Sequence, residues 1–387
     1  MTHSPLRFGI FLAPFHPVRE DPTACLDRDL ELVKWLDALR YDEAWIGEHH
    51  SAGYEIISSP EIFLAIASQN TRHIRLGTGV ISVPYHHPFM IAERIVQLDH
   101  MTRGRVMFGS GPGALQSDAR MLGLEASKQR DMLDEGLGVI LRLLRGETVS
   151  HEGSWFRLVD ARLQLRPWSR NLEYAVASQI SPAGARIAGK HGAGLLSLGA
   201  TSFEGFSMLG MNWQVYTDSC RANGFEPDRS RWRLVGPMHI AETRERARAN
   251  VRFGLGDWLF YFREVASLPL GMEGTVDEVI ENMIAQKFAV IGTPDDAIEQ
   301  LERLQNESGG FGCYLQLAHN WASWDDTRKS YELFSRYVMP RFQDRNAGRI
   351  ATIEATQKAR ADLIAEYGGA IAKEFEKQGI KLPTPGA

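Results

Sequence analysis

The chain has 387 residues, 44% of them hydrophobic and 24% charged. These values lie near the globular average and exclude a fibrous repeat or an extended disordered chain. With 48 acidic against 43 basic residues the formal charge is −5, so nothing electrostatic favours a nucleic acid or an anionic membrane as partner. Three cysteines (Cys25, Cys220 and Cys313) stand far apart with no CxxC, which argues against a disulfide framework or a thiolate zinc site and fits a reducing compartment. The apolar run Phe8 to Phe15 opens on Arg7 and is followed by Pro17 and Arg19-Glu20-Asp21 rather than a cleavage signal. No stretch nears the roughly 20 apolar residues of a membrane span. A cytoplasmic location is expected.

Along the chain, short apolar or β-branched runs alternate with longer helical patterns, as in a parallel sheet with crossover helices. Strands are expected at Arg7–Leu12, Glu43–Glu48, Ile74–Val83, Arg105–Ser110, Glu173–Ser178, Ala193–Leu198, Trp232–Ile240 and Cys313–Ala318. Between the first two, Leu26, Leu30, Val33, Leu36 and Leu39 fall on one helix face. Ser59 before Pro60 starts another helix as N-cap and N1, and Thr293-Pro294 does the same for one running to Leu304. Ser150 to Pro167 alternates polar and apolar residues around Gly153 and reads as an inserted hairpin. Leu255 to Lys287 carries Trp258, Phe260, Tyr261 and Phe262, then Leu-Pro-Leu-Gly-Met. It is long for a crossover, and such insertions near a strand end are often lids. Gln343 to Ala387 is a charged helix of balanced sign, from which self-association into a homo-oligomer is expected. Eight strand–helix repeats predict an α/β fold: a closed (β/α)8 TIM barrel over 1–342, with a helical extension over 343–387. An open doubly wound sheet is the alternative.

The densest chemical cluster is Glu48-His49-His50, following Ala44-Trp45-Ile46-Gly47. In a barrel the C-terminal end of each strand faces the active site, so these three ionisable residues are functional candidates. A satisfied surface histidine pair is the plain alternative. Neighbouring strand-end residues point to opposite faces, so one histidine is expected in the site with the other supporting it. His86 and His87 could join them in a metal cluster, but no Glu-x-x-His or His-x-His accompanies them and no metal is expected. Shaping the loop before the helix at Phe89 is the simpler role. Gly109-Ser110-Gly111-Pro112-Gly113 lacks a GKS or GxGxxG continuation; its glycines suit either a turn or a flat ring close to the backbone. Gly77 and Gly79 in the third strand suggest a bulge or a close ligand approach. Ser178-Gln179-Ile180-Ser181-Pro182 precedes the helix Ala183–His191. It offers a phosphate-type anion site, or simply an N-cap at Ser181. Arg130 could supply the matching charge or be a solvated side chain. No GxSxG, Ser-His-Asp order or paired catalytic carboxylates support a hydrolase.

Taken in order, these residues resemble the bacterial luciferase-like flavin monooxygenase family. The resemblance rests on Phe8-Gly9-Ile10-Phe11-Leu12, Trp45-Ile46-Gly47-Glu48-His49-His50, Leu76-Gly77-Thr78-Gly79-Val80 through Pro84 and His87-Pro88. It continues through Leu98-Asp99-His100-Met101-Thr102-Arg103-Gly104-Arg105, Ile291-Gly292-Thr293-Pro294-Asp295-Asp296 and Val338-Met339-Pro340. Ala13-Pro14-Phe15-His16, Gly111-Pro112-Gly113-Ala114-Leu115 and Ser181-Pro182-Ala183-Gly184 are similar to limonene 1,2-monooxygenase-type members of that family.

The resemblance implies a barrel that binds reduced flavin, usually FMN delivered by a separate NAD(P)H:flavin reductase, with FAD or F420 as the other options. The flavin reacts with O2 to a C4a-peroxyflavin, which oxygenates a small hydrophobic organic substrate, for example a terpene. It implies His49 as the catalytic histidine with His50 beside it, Glu48 against the flavin, and a non-proline cis peptide at Gly79-Val80. The phosphate site would use Ala177, Ser178, Gln179 and Ser181 with Arg130. Phe15, Met208, Trp258, Tyr261 and Trp321 offer an apolar substrate lining, each alternatively ordinary core. Pro112 stands where the luciferase has arginine, and Ser178 and Pro182 stand at its acidic and threonine phosphate-loop positions, so FMN against FAD is open. Because imidazole titrates near neutrality, His49 is expected to give or take a proton without strong tuning. Competing readings are F420-dependent hydride transfer on the same fold, a non-catalytic flavin-binding protein, and a flavin-free aldolase or isomerase.

Overall fold

Eight parallel strands close on themselves in the computed structural model, which describes residues 5–13, 15–266 and 272–381. They are β1 Arg7–Leu12, β2 Glu43–Ile46, β3 Arg75–Thr78 and β4 Val106–Gly111, then β5 Glu173–Ser178, β6 Gly194–Ser197, β7 Trp232–Ile240 and β8 Cys313–Leu317. Each pairs in parallel with the next, and β8 pairs with both β7 and β1, which shuts the barrel. The doubly wound alternative is excluded by that closure. The contacts divide the chain into two units, Met1–Met339 and Pro340–Ala387.

Two strand expectations need correction, and one strand was not expected. The run expected at Ile74–Val83 stops at Thr78, breaks at a cis peptide between Gly79 and Val80, and resumes as Ile81–Ser82 beside β4. A three-residue strand, Val290–Gly292, pairs with the end of β7 and was too short to show as a pattern. The strand after Tyr41 ends at Ile46, so Gly47 and Glu48 already belong to the loop. The first helix spans Pro22–Ala38 and begins earlier than its leucines suggest, because the Asp21 side chain caps it by accepting from the Ala24 N–H. Ser59 caps Pro60–Asn70 as expected, and Thr293 with Asp296 forms a capping box for Pro294–Ser308. The inserted hairpin is Val149–Glu152 paired with Arg157–Ala161.

The barrel interior is built on one indole. Trp45 is fully buried, and a Cβ on Gly77 would lie 2.6 Å from its ring while one on Gly109 would lie 2.9 Å from it. Trp45 closes over both glycines, and at Gly109 the Thr78 carbonyl, 2.1 Å from an added Cβ, is nearer still. Beneath it, Arg233 has no exposed side-chain surface and donates from Nε to Glu43 Oε2 at 2.6 Å and from Nη2 to Glu43 Oε1 at 3.0 Å. Nη2 also reaches Glu173 Oε1 at 2.5 Å, and the guanidinium carbon lies 4.8 Å from the Trp45 ring centre. Burial raises the Glu173 carboxyl pKa, but Arg233 and Arg75 outweigh it and bring it down to about 2. The stabilisation from this pair is thus complete above the ordinary carboxylate range and fades as pH falls towards about 2. All three cysteines are free and buried; burial pushes the Cys25 thiol up to about 11 and those of Cys220 and Cys313 upward as well.

The C-terminal unit holds two helices, Ala347–Lys358 and Arg360–Lys377, broken at Ala359 rather than continuous, and neither buries a side chain. The final Pro-Thr-Pro-Gly lies outside the described residues.

Replacing Arg233 with methionine leaves the fully buried Glu43 with only Arg7 and the Trp45 N–H, and the half-buried Glu173 with only Arg75, and removing one partner of a buried pair costs about 3–5 kcal/mol. Thermal unfolding of Arg233→Met should show a loss of that order; a loss within about 0.5 kcal/mol, typical of a surface change, would rule out the floor charge as a structural requirement.

Candidate active site

Beyond β2 the chain continues extended through Gly47, and strand alternation then splits the three ionisable residues. Glu48 and His50 point one way and His49 the other, which divides the expected histidine pair between two carboxylate clusters.

The first cluster centres on Glu48, which is buried. Its Oε1 accepts from His50 Nε2 at 2.9 Å and from His86 Nε2 at 2.5 Å, while Oε2 accepts the Ser82 N–H at 2.6 Å. The last contact ties the carboxylate to the chain just after the cis Gly79–Val80 bond. Burial would raise the Glu48 pKa, yet the bonds from His50, His86 and Ser82 lower it. In return Glu48 raises the pKa of His50 against partial burial. Glu48, His50 and His86 bring three possible metal-ligand atoms within 4.8 Å of one another. Ligands of one tetrahedral zinc ion would stand about 3.3 Å apart at its usual ~2.0–2.1 Å bond lengths. The 2.5 Å approach of His86 to Glu48 is that of a hydrogen bond instead. His87 is exposed and caps the helix Pro88–Thr102, accepting the Phe89 N–H at its Nδ1, which is the loop-shaping role expected of it.

The second cluster surrounds His49. Its Nε2 lies 3.1 Å from Glu55 Oε2 and its Nδ1 3.4 Å from Asp118 Oδ2. Asp118, on the short helix Gln116–Met121, is almost wholly buried and accepts from the His50 N–H and the Ser51 hydroxyl. Burial disfavours the imidazolium, but Glu55 and then Asp118 overcome this and raise the His49 pKa. The expectation of an untuned histidine is therefore corrected. Neither Glu55 nor Asp118 stood out in the sequence. The one available signal for Glu55 was the turn Ser51-Ala52-Gly53-Tyr54, where Ala52 and Gly53 take φ of 66° and 74° and return the chain to His49.

Aromatic residues stand beside this cluster. Phe15, Tyr54 and Tyr261 pack together with ring centres 4.9–5.6 Å apart. Trp258 meets Trp321 edge-on at 5.3 Å, and all five belong to one buried cluster. Tyr261 and Trp258 come from the insertion, as Leu255–Phe260 and a π-turn at Tyr261–Val265; its Leu-Pro-Leu-Gly stretch lies outside the described residues. Met208 does not join them: it is half-buried on the helix Phe203–Ala222, one turn before Asn212, whose Nδ2 donates to the Gln179 carbonyl. Two further histidines at this end, His239 and His319, are kept neutral by burial, their pKa values lowered to about 3 and about 4. His319, with Leu12, Phe15 and Ala318, borders a cavity of about 190 Å³.

At the barrel mouth, Ala13, Val80, Leu198 and Leu317 are half-buried over the apolar core of the strands and form a greasy floor. Beyond β5, Ser178 is buried and its hydroxyl reaches the Ser181 carbonyl at 3.4 Å, whereas Gln179 and Ser181 are exposed. Ala177 is half-buried, and a Cβ on Gly184 would lie 2.3 Å from its carbonyl oxygen, so the helix Ala183–Lys190 presses directly on the strand end. Its N-cap is Pro182 rather than Ser181, with no side chain capping it, although Ser181 Oγ accepts the Ala183 N–H at 3.3 Å. Arg130 is exposed in the first turn of Gln129–Leu144, and among the described residues no hydrogen bond or ion pair joins it to Ser178 or Ser181.

A closed parallel barrel whose C-terminal mouth carries carboxylate-held histidines and an apolar floor beside a buried aromatic cluster defines an α/β-barrel enzyme site. The profile of the family described as luciferase-like monooxygenase matches residues 6–310. Limonene 1,2-monooxygenase of Rhodococcus erythropolis is 44% identical over 96% of both chains. The 4-hydroxyprotoasukamycin monooxygenase of Streptomyces nodosus subsp. asukaensis is 43% identical over 93% of this chain and 99% of its own. The oxygenating constituent of 3,6-diketocamphane monooxygenase from Pseudomonas putida, solved with FMN, superposes with a TM-score of 0.72 at 23% identity, covering 87% of this chain and 99% of its own. The chain belongs to the luciferase-like monooxygenase family. No described helix is long and apolar enough to cross a membrane.

Glu48→Gln removes the charge that favours protonated His50, so the His50 pKa should fall, as followed by NMR titration of its ring. In the parent protein the raised value means that this pairing stabilises the fold below the ordinary ~6.5 and loses its effect as pH climbs through the raised pKa. An unmoved His50 titration in the variant would break the argument.

Proposed function

We propose that this chain is the oxygenase component of a two-component flavin-dependent monooxygenase, which takes reduced FMN from a separate NAD(P)H:flavin reductase and inserts one atom of O2 into a small hydrophobic substrate. The observation that carries the reading is the joining of His49, set between Glu55 and Asp118, to an aromatic cluster at the barrel mouth, in a chain of the luciferase-like family. The names of its relatives attach the chemistry to limonene in one case and to 4-hydroxyprotoasukamycin in the other. We favour a terpene-sized apolar molecule because the walls are rings and not polar groups.

The residues fit a flavin. The floor of Ala13, Val80, Leu198 and Leu317 suits a flat apolar face, and at the start of Ala183–Lys190 the amides after Ala183, whose N–H goes to Ser181 Oγ, are placed to meet a phosphate. Ser178, Gln179 and Ser181 beside Ala177 would hold that phosphate, with Arg130 as the candidate counter-charge. Glu48, with its two histidine donors, would lie against the ring edge near Gly79 and Val80. Reduced FMN, when bound, supplies the electrons that activate O2. His49 holds a proton on Nε2 or Nδ1 at the mouth and can donate it there. Phe15, Tyr54, Trp258 and Tyr261 keep water from the reacting atoms and orient the substrate by contact.

Protein mixed with reduced FMN, limonene and ¹⁸O2 should yield product carrying one ¹⁸O atom, read by mass spectrometry. Unlabelled product, or flavin oxidation that produces only peroxide with every terpene offered, would refute the oxygenase reading for this substrate class. Ser178→Asp places a carboxylate against the proposed phosphate and should weaken FMN binding at least tenfold, about 1.4 kcal/mol, by fluorescence titration. Unchanged affinity would move the phosphate elsewhere.

A further inference from the structure

Glu55 and the hydroxyl of Tyr261 have no part in the cofactor or substrate contacts above, yet both are built tightly into the His49 cluster. The backbone on either side of Glu55 is clamped by His16: the His16 N–H donates to the Tyr54 carbonyl at 2.7 Å, and the Ile56 N–H donates to His16 Nδ1 at 3.4 Å. His16 is itself buried, with Nε2 2.8 Å from Asp29 Oδ2. Those partners assign its proton to Nε2 and leave Nδ1 as the acceptor. The next link also comes from the backbone, as the His49 N–H donates to the Ile57 carbonyl at 3.1 Å.

The Glu55 carboxylate is shared. Oε2 lies 3.1 Å from His49 Nε2, and Oε1 accepts the Tyr261 hydroxyl at 3.0 Å. Tyr261 is 1% exposed and sits where the insertion helix loosens into a π-turn, an irregularity that recurs at functional positions. Burial and the neighbouring Glu55 raise its pKa, so at neutral pH it serves Glu55 as a donor.

We propose that Glu55 is a positioning residue that keeps His49 protonated, and that Tyr261 fixes Glu55 in that pose, so the seating of the insertion governs the charge on His49. This rests on the reading that His49 handles the proton of an oxygenase site. The ionisable groups acting on His49 are Glu48 and His50 from its own segment, Glu55 from the returning turn, Asp118 from Gln116–Met121, and Tyr261 through Glu55. A carboxylate oxygen lies within 3.1 Å of one ring nitrogen and 3.4 Å of the other, so both acids favour the imidazolium by charge at ion-pair distance. Removing Glu55 frees one nitrogen and lets the proton leave. Removing only the Tyr261 hydroxyl lets the carboxylate turn away for part of the time. The aromatic wall over the substrate would then report its packing to the proton donor beneath it.

The test is ¹⁵N-histidine NMR titration of the full-length chain, with the His49 resonance assigned by its loss in His49→Gln. Glu55→Gln should lower the His49 pKa by about one unit or more, the usual scale for a charge lost at this distance, which is a tenfold drop in proton affinity. Tyr261→Phe should lower it by less, and the double variant should match Glu55→Gln alone. An unmoved His49 titration in Glu55→Gln, or independent addition of the two effects, would overturn the proposal. Glu55→Asp, which keeps the charge, should retain most of the shift and separates lost charge from a disturbed fold. The titration needs neither flavin nor substrate, so its failure is distinct from a failure of the ¹⁸O experiment.

Discussion

A guanidinium without exposed surface cannot exist inside a barrel unless its charge is matched on the spot, and Arg233 sets that condition for this molecule. Glu43 on β2 and Glu173 on β5 reach it from across the interior, so three strands distant in sequence are held at one level. Trp45 completes the arrangement, donating its indole N–H to Glu43 at 2.8 Å and turning its ring face to the cation. The glycines of β3 and β4 follow, since any side chain at Gly77 or Gly109 would collide with that ring. Packing above the floor is therefore decided by electrostatics below it.

The same device appears at the other end of the strands with a different cation. Arginine is charged at every accessible pH, so the floor is permanent; histidine is charged only while carboxylates favour it. Glu48 gathers His50 and His86, while Glu55 and Asp118 enclose His49. His239 and His319 lie close by, and among the described residues no carboxylate is hydrogen-bonded to either ring, so burial is the leading cause that drives them neutral. The protein thus keeps two kinds of histidine within one mouth, and the distinction comes from which acid each ring can reach.

Much of the barrel was legible because buried parallel strands read as apolar runs, and the eight runs expected all became strands. Errors arose where backbone geometry or brevity broke the pattern. Gly79 ended a run that hydrophobicity alone would have continued, and Val290–Gly292 is too short to show a period. At the site, Glu48-His49-His50 was visible as three adjacent ionisable residues at a strand end. Asp118 was not, because its relation to His49 exists only once β4 lies beside β3 in the closed barrel. Tyr261 illustrates a subtler loss. Its ring was foreseeable as part of an apolar wall, but the direction of its hydroxyl depends on Glu55, which a turn of two left-handed residues brings back.

The thiols give the molecule a practical property. All three are buried, and burial holds each in the protonated form, so the nucleophilic thiolate is scarce at neutral pH. Burial therefore disfavours attack by thiol-directed reagents at each of the three. For the same reason a cysteine introduced on the exposed side of Leu255–Phe260 could carry a spectroscopic label with the native three left in place.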